Sequence, residues 1–248
     1  MSARTSSHPS PSRRPSRLVQ LGGLVALAAV VVLVAVVASS SSGSKATAAG
    51  SGGSAGTVDP TPATALQGIP ENGLVLGNPD AKVTLTEFVD LQCPICKQAA
   101  AQTMPAIFED YVRTGKVKVQ VHVLSFLGQD SVEAGRYAAA AARQDRLWPF
   151  IETFYGAQGT ENSGYVTKDF LAAVADAANV DGAKAAAYAS TPASTTFLED
   201  ANAAAERFGV HSTPTFMVQR DGGRPTVVGS GLLDPSQLAQ VLDRELAK

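Results

Sequence analysis

The chain has 248 residues, an apolar share of 45%, few aromatics and a formal net charge of −2, enough for one ordinary globular domain with attachments. Five basic residues, Arg4, Arg13, Arg14, Arg17 and Lys45, precede the first acid, Asp59, which leaves 15 basic against 22 acidic side chains in the remainder. That acidic balance excludes a basic nucleic-acid face, and no glycine-rich phosphate loop follows a strand pattern.

In chain order, residues 1–17 read as a cytoplasmic basic leader rich in Ser, Pro and Arg. Residues 18–38 are 21 uncharged and mostly apolar positions, enough helix to cross a bilayer, with Arg13, Arg14 and Arg17 holding the N-terminus on the cytoplasmic side. A cleaved signal peptide is the rival reading, since small residues from Val36 to Ser39 suit a cleavage site. Either way the later residues reach an oxidising compartment. Residues 39–66 are too poor in large apolar side chains to offset their ordering entropy and read as a flexible tether. Its root-mean-square reach as a random coil is on the order of 30 Å.

The folded part begins with a strand over Val83 to Val89. Its alternation puts Val83, Leu85, Glu87 and Val89 on one face and Thr84, Thr86 and Phe88 on the other. The period then lengthens: Ala100, Met104, Ile107, Phe108, Tyr111 and Val112 mark an amphipathic helix ending near Gly115, with a kink expected at Pro105. A second strand over Val117 to Leu124 completes a parallel crossover. From about 130 to 208 the signals are helical, with Asp130 and Glu133 spaced for a capping box and Thr167 and Asp181 placed as N-caps. Thr215 to Gln219 and Pro225 to Val228 then read as a hairpin around Asp221-Gly222-Gly223. A last helix starts at Asp234-Pro235 and buries Leu238, Val241, Leu242 and Leu246.

The chain holds two cysteines, three positions apart. They cannot staple distant loops, and they fall short of the four ligands of a structural zinc site. Cys93-Pro94-Ile95-Cys96 lies where the first strand gives way to the helix. Cys93 thus falls at a helix N-terminus, where unpaired N–H groups and the helix dipole favour a thiolate. Cys96, one turn on, is placed to resolve a mixed disulfide. His8, His122 and His211 are the only histidines and supply no obvious closed metal site. His122 reads as structural, His211 as a solvated loop residue and Lys97 as a rim charge. Trp148, Phe150, Phe154 and Tyr155 read as core or groove lining.

This order of elements, with Cys93 to Cys96 at the helix start and Thr213-Pro214 120 positions after Cys93, resembles the DsbA-like branch of the thioredoxin superfamily over roughly residues 74–246. The resemblance implies an α/β thioredoxin-like fold over residues 67–248 with an inserted helical domain at about 130–208, preceded here by a single N-terminal transmembrane helix. It implies a cis bond before Pro214, which faces the catalytic pair, and a Thr213 backbone that receives a substrate strand beside Pro94 and Ile95. Glu87, six residues before Cys93, matches a buried acid that exchanges a proton with Cys96; its alternative is a strand-edge carboxylate reaching water or paired with Lys97. Ile95 stands where strongly oxidising relatives carry histidine, which implies a weaker oxidant.

The activity so implied is dithiol-disulfide exchange without a cofactor and without a metal. Reduced or misoxidised secreted proteins are the substrates, and a membrane partner re-oxidises (or reduces) the pair. The tether leaves no room for a dimerisation domain, so a monomer is expected. A reductase or isomerase using the same residues, a thiol metal carrier and a chaperone remain open alternatives.

Overall fold

Two antiparallel residues on either side of a glycine turn open the sheet in the computed structural model, which describes residues 57–248. They follow a short helix, α1 (Thr61–Thr64), and form β1 (Glu71–Asn72) and β2 (Val75–Leu76). Next come β3 (Val83–Asp90), α2 (Pro94–Gln102), α3 (Met104–Ile107), a π-helical turn (Phe108–Val112) and β4 (Val117–Leu124). Five helices follow without a strand: α4 (Gln129–Ala142), α5 (Leu147–Ala157), α6 (Lys168–Ala177), α7 (Gly182–Ala189) and α8 (Pro192–Phe208). β5 (Thr215–Arg220), β6 (Thr226–Ser230) and α9 (Pro235–Leu246) close the chain.

The six strands run in the order β1-β2-β4-β3-β5-β6. β3 and β4 pair in parallel from Val83↔Val117 to Asp90↔Leu124, and β5 pairs antiparallel to β3. Both central strands are buried on the Val83, Leu85, Val89 and Val117, Val119, Val121, Val123 side, as their alternation predicts. That face shares one core with Ala99 and Ala100 of α2, Trp148 and Phe154 of α5, and Leu238 and Leu242 of α9. The opposite face packs Phe88, Leu124 and Met217 against Ala201, Ala204 and Ala205 of α8. His122 lies on this second face, stacked on Phe88 with ring centroids 4.8 Å apart.

Pro105 has the effect its chemistry dictates. Lacking an N–H, it cannot bond the carbonyl one turn back, and the expected single helix is divided at Thr103, whose hydroxyl turns instead to the Leu233 carbonyl at 2.6 Å. Thr167, Asp181 and Asp234 all cap their helices, the last in a full capping box with Gln237.

Two expectations change. Asp130 and Glu133 form no capping box: Gly128, at φ 114°, is the N-cap, so α4 starts earlier and Asp130 already lies in its first turn. Its carboxylate accepts from the Gly164 amide at 3.1 Å. The composition-defined tether ends too late at Leu66, because Ala63 and Leu66 are buried and α1 packs on α5. β1 and β2 escape periodicity, being two residues each, yet they are anchored by side chains: Glu71 accepts from the Trp148 amide, and the Trp148 indole donates to the Leu74 carbonyl at 3.1 Å. The expected membrane segment, residues 18–38, lies outside the described residues. Among those described, no helix is long and apolar enough to cross a membrane.

Replacing Asp234 by Ala removes the cap on a helix that buries Leu238 and Leu242 and should cost about 1 kcal/mol in urea unfolding. Asp169→Ala, on the exposed first turn of α6, should stay within about 0.5 kcal/mol of the parent.

Candidate active site

β3 delivers the chain to a loop held from several directions. The buried Asp90 carboxylate accepts four hydrogen bonds: from the Gln92 amide at 2.9 Å, the Ser131 hydroxyl at 2.6 Å, and the Phe126 and Leu127 amides at 3.1 and 3.2 Å. Burial pushes this carboxyl up, and the four donors pull against it. The Asp90 carbonyl accepts the Cys93 amide at 2.9 Å and the Tyr155 hydroxyl at 3.2 Å. The Gln158 amide group donates to the carbonyls of Leu91 and Cys93 at 2.7 and 3.2 Å, while Lys97 donates to the Gln158 carbonyl at 3.1 Å. Helix α5 and the residues after it thus brace the loop from outside.

On that brace Cys93 becomes the N-cap of α2, with extended backbone angles and a sulfur that accepts the Cys96 amide at 3.3 Å. Pro94 stands at the first helical position, where a missing N–H leaves nothing unsatisfied. Both sulfurs are free thiols; Cys93 is 5% exposed and Cys96 fully buried.

The Cys93 thiol is pulled down to about 6, first by the hydrogen bond from the Cys96 thiol, against the opposing effect of burial. The Thr213 side chain and the amides of Cys96 and Ile95 add smaller contributions in the same direction. Cys96 is pushed well above the usual thiol range, first by burial, then by its bond to Cys93 and the charge there. Two sulfurs one turn apart are therefore driven in opposite directions, one toward thiolate and one toward thiol.

The Thr213–Pro214 bond is cis. The Thr213 carbonyl lies 3.4 Å from the Cys93 sulfur, and the Pro214 carbonyl is held by the Gly231 amide at 2.8 Å. Glu87 is buried on the Cys96 side of β3, and burial pushes its carboxyl up to about 8. It has no ion-pair or hydrogen-bond partner among the described residues, so the alternative pairing with Lys97 is not formed. Ile95 points outward at 38% exposed, beside an exposed Pro94. Its side chain offers Cys93 no donor, but its amide does.

Cys93, Cys96, Thr213 and Pro214 come together, with Glu87 beneath. His211 is exposed and His122 belongs to the opposite sheet face. Asp90 and Gln158 were not anticipated: an acid ending a strand and a glutamine past a helix carry no motif, and only the fold makes them neighbours of Cys93. Among the described residues no group of three or more His, Cys, Asp or Glu is arranged to hold a metal.

The family model for thioredoxin matches residues 70–224. The chain belongs to the thioredoxin family. Five helices, α4 to α8, are inserted between β4 and β5 of that fold. A protein of Bacillus cereus named probable disulfide bond formation protein D is 31% identical over 101 residues, 40% of this chain and 47% of that protein. The chain thus matches about half the length of this curated relative. The solved structure of oxidised BdbD from Bacillus subtilis shares the fold at TM-score 0.64 and 22% identity, covering 73% of this chain and 99% of that one. A thioredoxin-like oxidoreductase from Silicibacter pomeroyi aligns at TM-score 0.57 and 28% identity over 70% of this chain and 92% of that one.

The lowered Cys93 value has a consequence for stability. Between about 6 and the ordinary thiol value of about 8.5, the unfolded reduced chain holds a proton on Cys93 that the folded chain does not, so folding gains stability as pH rises through this window. That gain is lost as pH falls through about 6. Glu87 works in the other sense, its contribution being lost as pH rises from the ordinary carboxyl range through about 8, but it is present in both redox forms. The stability of the reduced protein minus that of the oxidised one, from denaturant unfolding, should therefore climb between about pH 6 and about pH 8.5. A flat difference would count against the thiolate.

Proposed function

We propose that this chain is an extracytoplasmic protein thiol-disulfide oxidoreductase that works through Cys93 and Cys96, in the direction of disulfide formation in secreted proteins. The observation that carries it is the opposed electrostatics of the two sulfurs, with a Cys93 that favours thiolate beside the Thr213 backbone. The disulfide-formation name of the Bacillus cereus relative supports the same direction.

In the oxidised protein a substrate thiolate attacks the Cys93 sulfur. The Cys93–Cys96 bond breaks, a mixed disulfide forms on Cys93, and Cys96 leaves with the electron pair. A thiolate in that buried position is costly, so Cys96 takes a proton, for which the Glu87 carboxyl, held neutral by burial at neutral pH, is the donor. A second substrate thiolate then attacks the mixed disulfide and expels Cys93, a good leaving group because its thiolate is favoured. Two electrons have passed from two substrate thiols to the pair, and no cofactor is required.

Reduced or misoxidised secreted proteins are suitable substrates, since an extended segment can align its backbone with Thr213 next to cis Pro214 while touching Pro94 and Ile95. The electrons must then leave through a membrane re-oxidising partner, and the apolar run of residues 18–38 would hold the domain near it as a single-pass anchor. Ile95 favours a second reading, in which the same site works as a reductase or isomerase. It supplies no side-chain donor to Cys93, which makes the pair a milder oxidant.

Replacing Cys96 by Ser should leave mixed disulfides trapped on Cys93, visible as thiol-sensitive adducts in non-reducing gels. Cys93→Ser should lower exchange with a reduced, unfolded substrate by at least about 10³-fold, a loss in the range that nucleophile removal produces. Adducts that persist in Cys93→Ser would refute the assignment. Equilibration with glutathione separates the two directions, because a strongly reducing potential would favour the second reading.

A further inference from the structure

The proposed exchange leaves a proton problem. Cys96 is fully buried, and a docked substrate covers the Cys93 and Thr213 side of the pair. The proton that Cys96 gains or loses has to travel by another path, and Glu87, also buried, must itself be resupplied.

The C-terminal end of α5 is tied by hydrogen bonds to the end of β3 and the loop that follows it. Gln158 bonds the carbonyls of Leu91 and Cys93, and one turn earlier Tyr155 bonds the carbonyl of Asp90. One further turn back on the same side of α5 is Glu152, whose carboxyl feels the charge of Glu87, a buried residue of β3. Glu152 lines a cavity of about 280 Å³ behind the active-site helix, walled by Pro62 of α1, Lys97 and Ala101 of α2, Phe108 and Tyr155. With about 30 Å³ of liquid per molecule, such a space has room for several waters beside the Glu152 carboxyl.

The other titratable groups on this cavity are already engaged. Lys97 is bonded to the Gln158 carbonyl, Tyr155 to the Asp90 carbonyl, and Glu109 to Arg113 through two hydrogen bonds. Glu152 has no hydrogen-bond or ion-pair partner among the described residues. From the β3 side the charged group that acts on it is Glu87, and from the α2 side Lys97 shares its cavity.

We propose that Glu152 is the solvent-side station of a proton relay that passes between water in this cavity and Glu87, and through Glu87 serves Cys96. The inference rests on the exchange reading above and assigns the helical insertion a part in it. When Cys96 leaves as thiolate it takes the proton of the Glu87 carboxyl, the resulting carboxylate takes that of Glu152, and Glu152 is reprotonated from cavity water. In the reverse direction each transfer runs backward, and the electrons stay on sulfur throughout. Both carboxyls are pushed up to about 8, chiefly by burial, and the Glu87 charge adds to the rise at Glu152. Matched values near the working pH let a proton move either way without a large uphill step.

Glu152→Gln in the full-length protein keeps the side-chain size and removes the exchangeable proton. Its oxidised form, reacted with a reduced cysteine peptide from about pH 5 to about pH 9, should be slowed about tenfold near neutrality, a modest share of what general acid-base groups contribute. The pH profile should change shape and the solvent deuterium isotope effect should grow, while the Cys93 thiol midpoint stays as in the parent. Glu152→Asp should restore part of the rate. Ala101→Phe, which fills the cavity and leaves both carboxyls in place, should slow the same step, so the test does not depend on one variant folding. Rates and profiles that superimpose on the parent in both Glu152→Gln and Ala101→Phe would overturn the relay, as would a Glu152→Gln effect accounted for by a displaced Cys93 midpoint. Failure of the exchange reading itself looks different, because Cys93→Ser would then retain exchange.

Discussion

The contact on which the molecule turns is the one the Cys93 sulfur makes with the first turn of α2, where it accepts the Cys96 amide at 3.3 Å and the hydrogen bond of the Cys96 thiol. A negative sulfur is favoured there because the donors are fixed before it ionises, so no reorganisation is needed when charge appears. Cys96 takes the opposite character, first because it is buried and then because it bonds to Cys93 and lies next to that charge, and it is held as a thiol. These contacts and the burial of Cys96 together define both halves of an exchange pair, and much of the surrounding structure keeps the loop that makes them in place.

That surrounding structure is to a large degree the helical insertion. A thioredoxin sheet with α2 would present the pair, but the loop from Asp90 to Cys93 has carbonyls that need partners, and Tyr155 and Gln158 supply them. Ser131 at the head of α4 and the amides after β4 converge on the Asp90 carboxylate. The insertion is therefore a buttress for the site as well as a cover for one side of the core. It also carries Glu152, which feels the charge of the buried acid and faces the cavity behind α2.

Much of this was legible in the sequence because it rests on local rules. β3 and β4 follow from strict alternation of β-branched residues, the break near Thr103 from the lost donor of Pro105, and the start of α9 from Asp234-Pro235 with Gln237. Cys93 reads as a helix-start thiol because a strand pattern gives way to a helical one at that point. What escaped depends on tertiary neighbours. Asp90 is an unremarkable strand-end acid until four donors from three segments meet it, and Gln158 has no signal before α5 is laid along β3. The two-residue strands near Gly73 are too short to show a period. Asp130 misleads for a physical reason: its spacing to Glu133 suits a cap, but Gly128 can adopt the positive φ that starts α4 sooner. The apolar segment at 18–38 rests on composition alone.

The most direct test of the central claim is the pH dependence of alkylation of Cys93 in the reduced protein, since only the thiolate reacts and Cys96 is buried. A single titration with a midpoint of about 6 is expected, with the reactive sulfur assigned to Cys93 by peptide mapping. A midpoint near the ordinary thiol value of about 8.5, or preferential modification of Cys96, would contradict it.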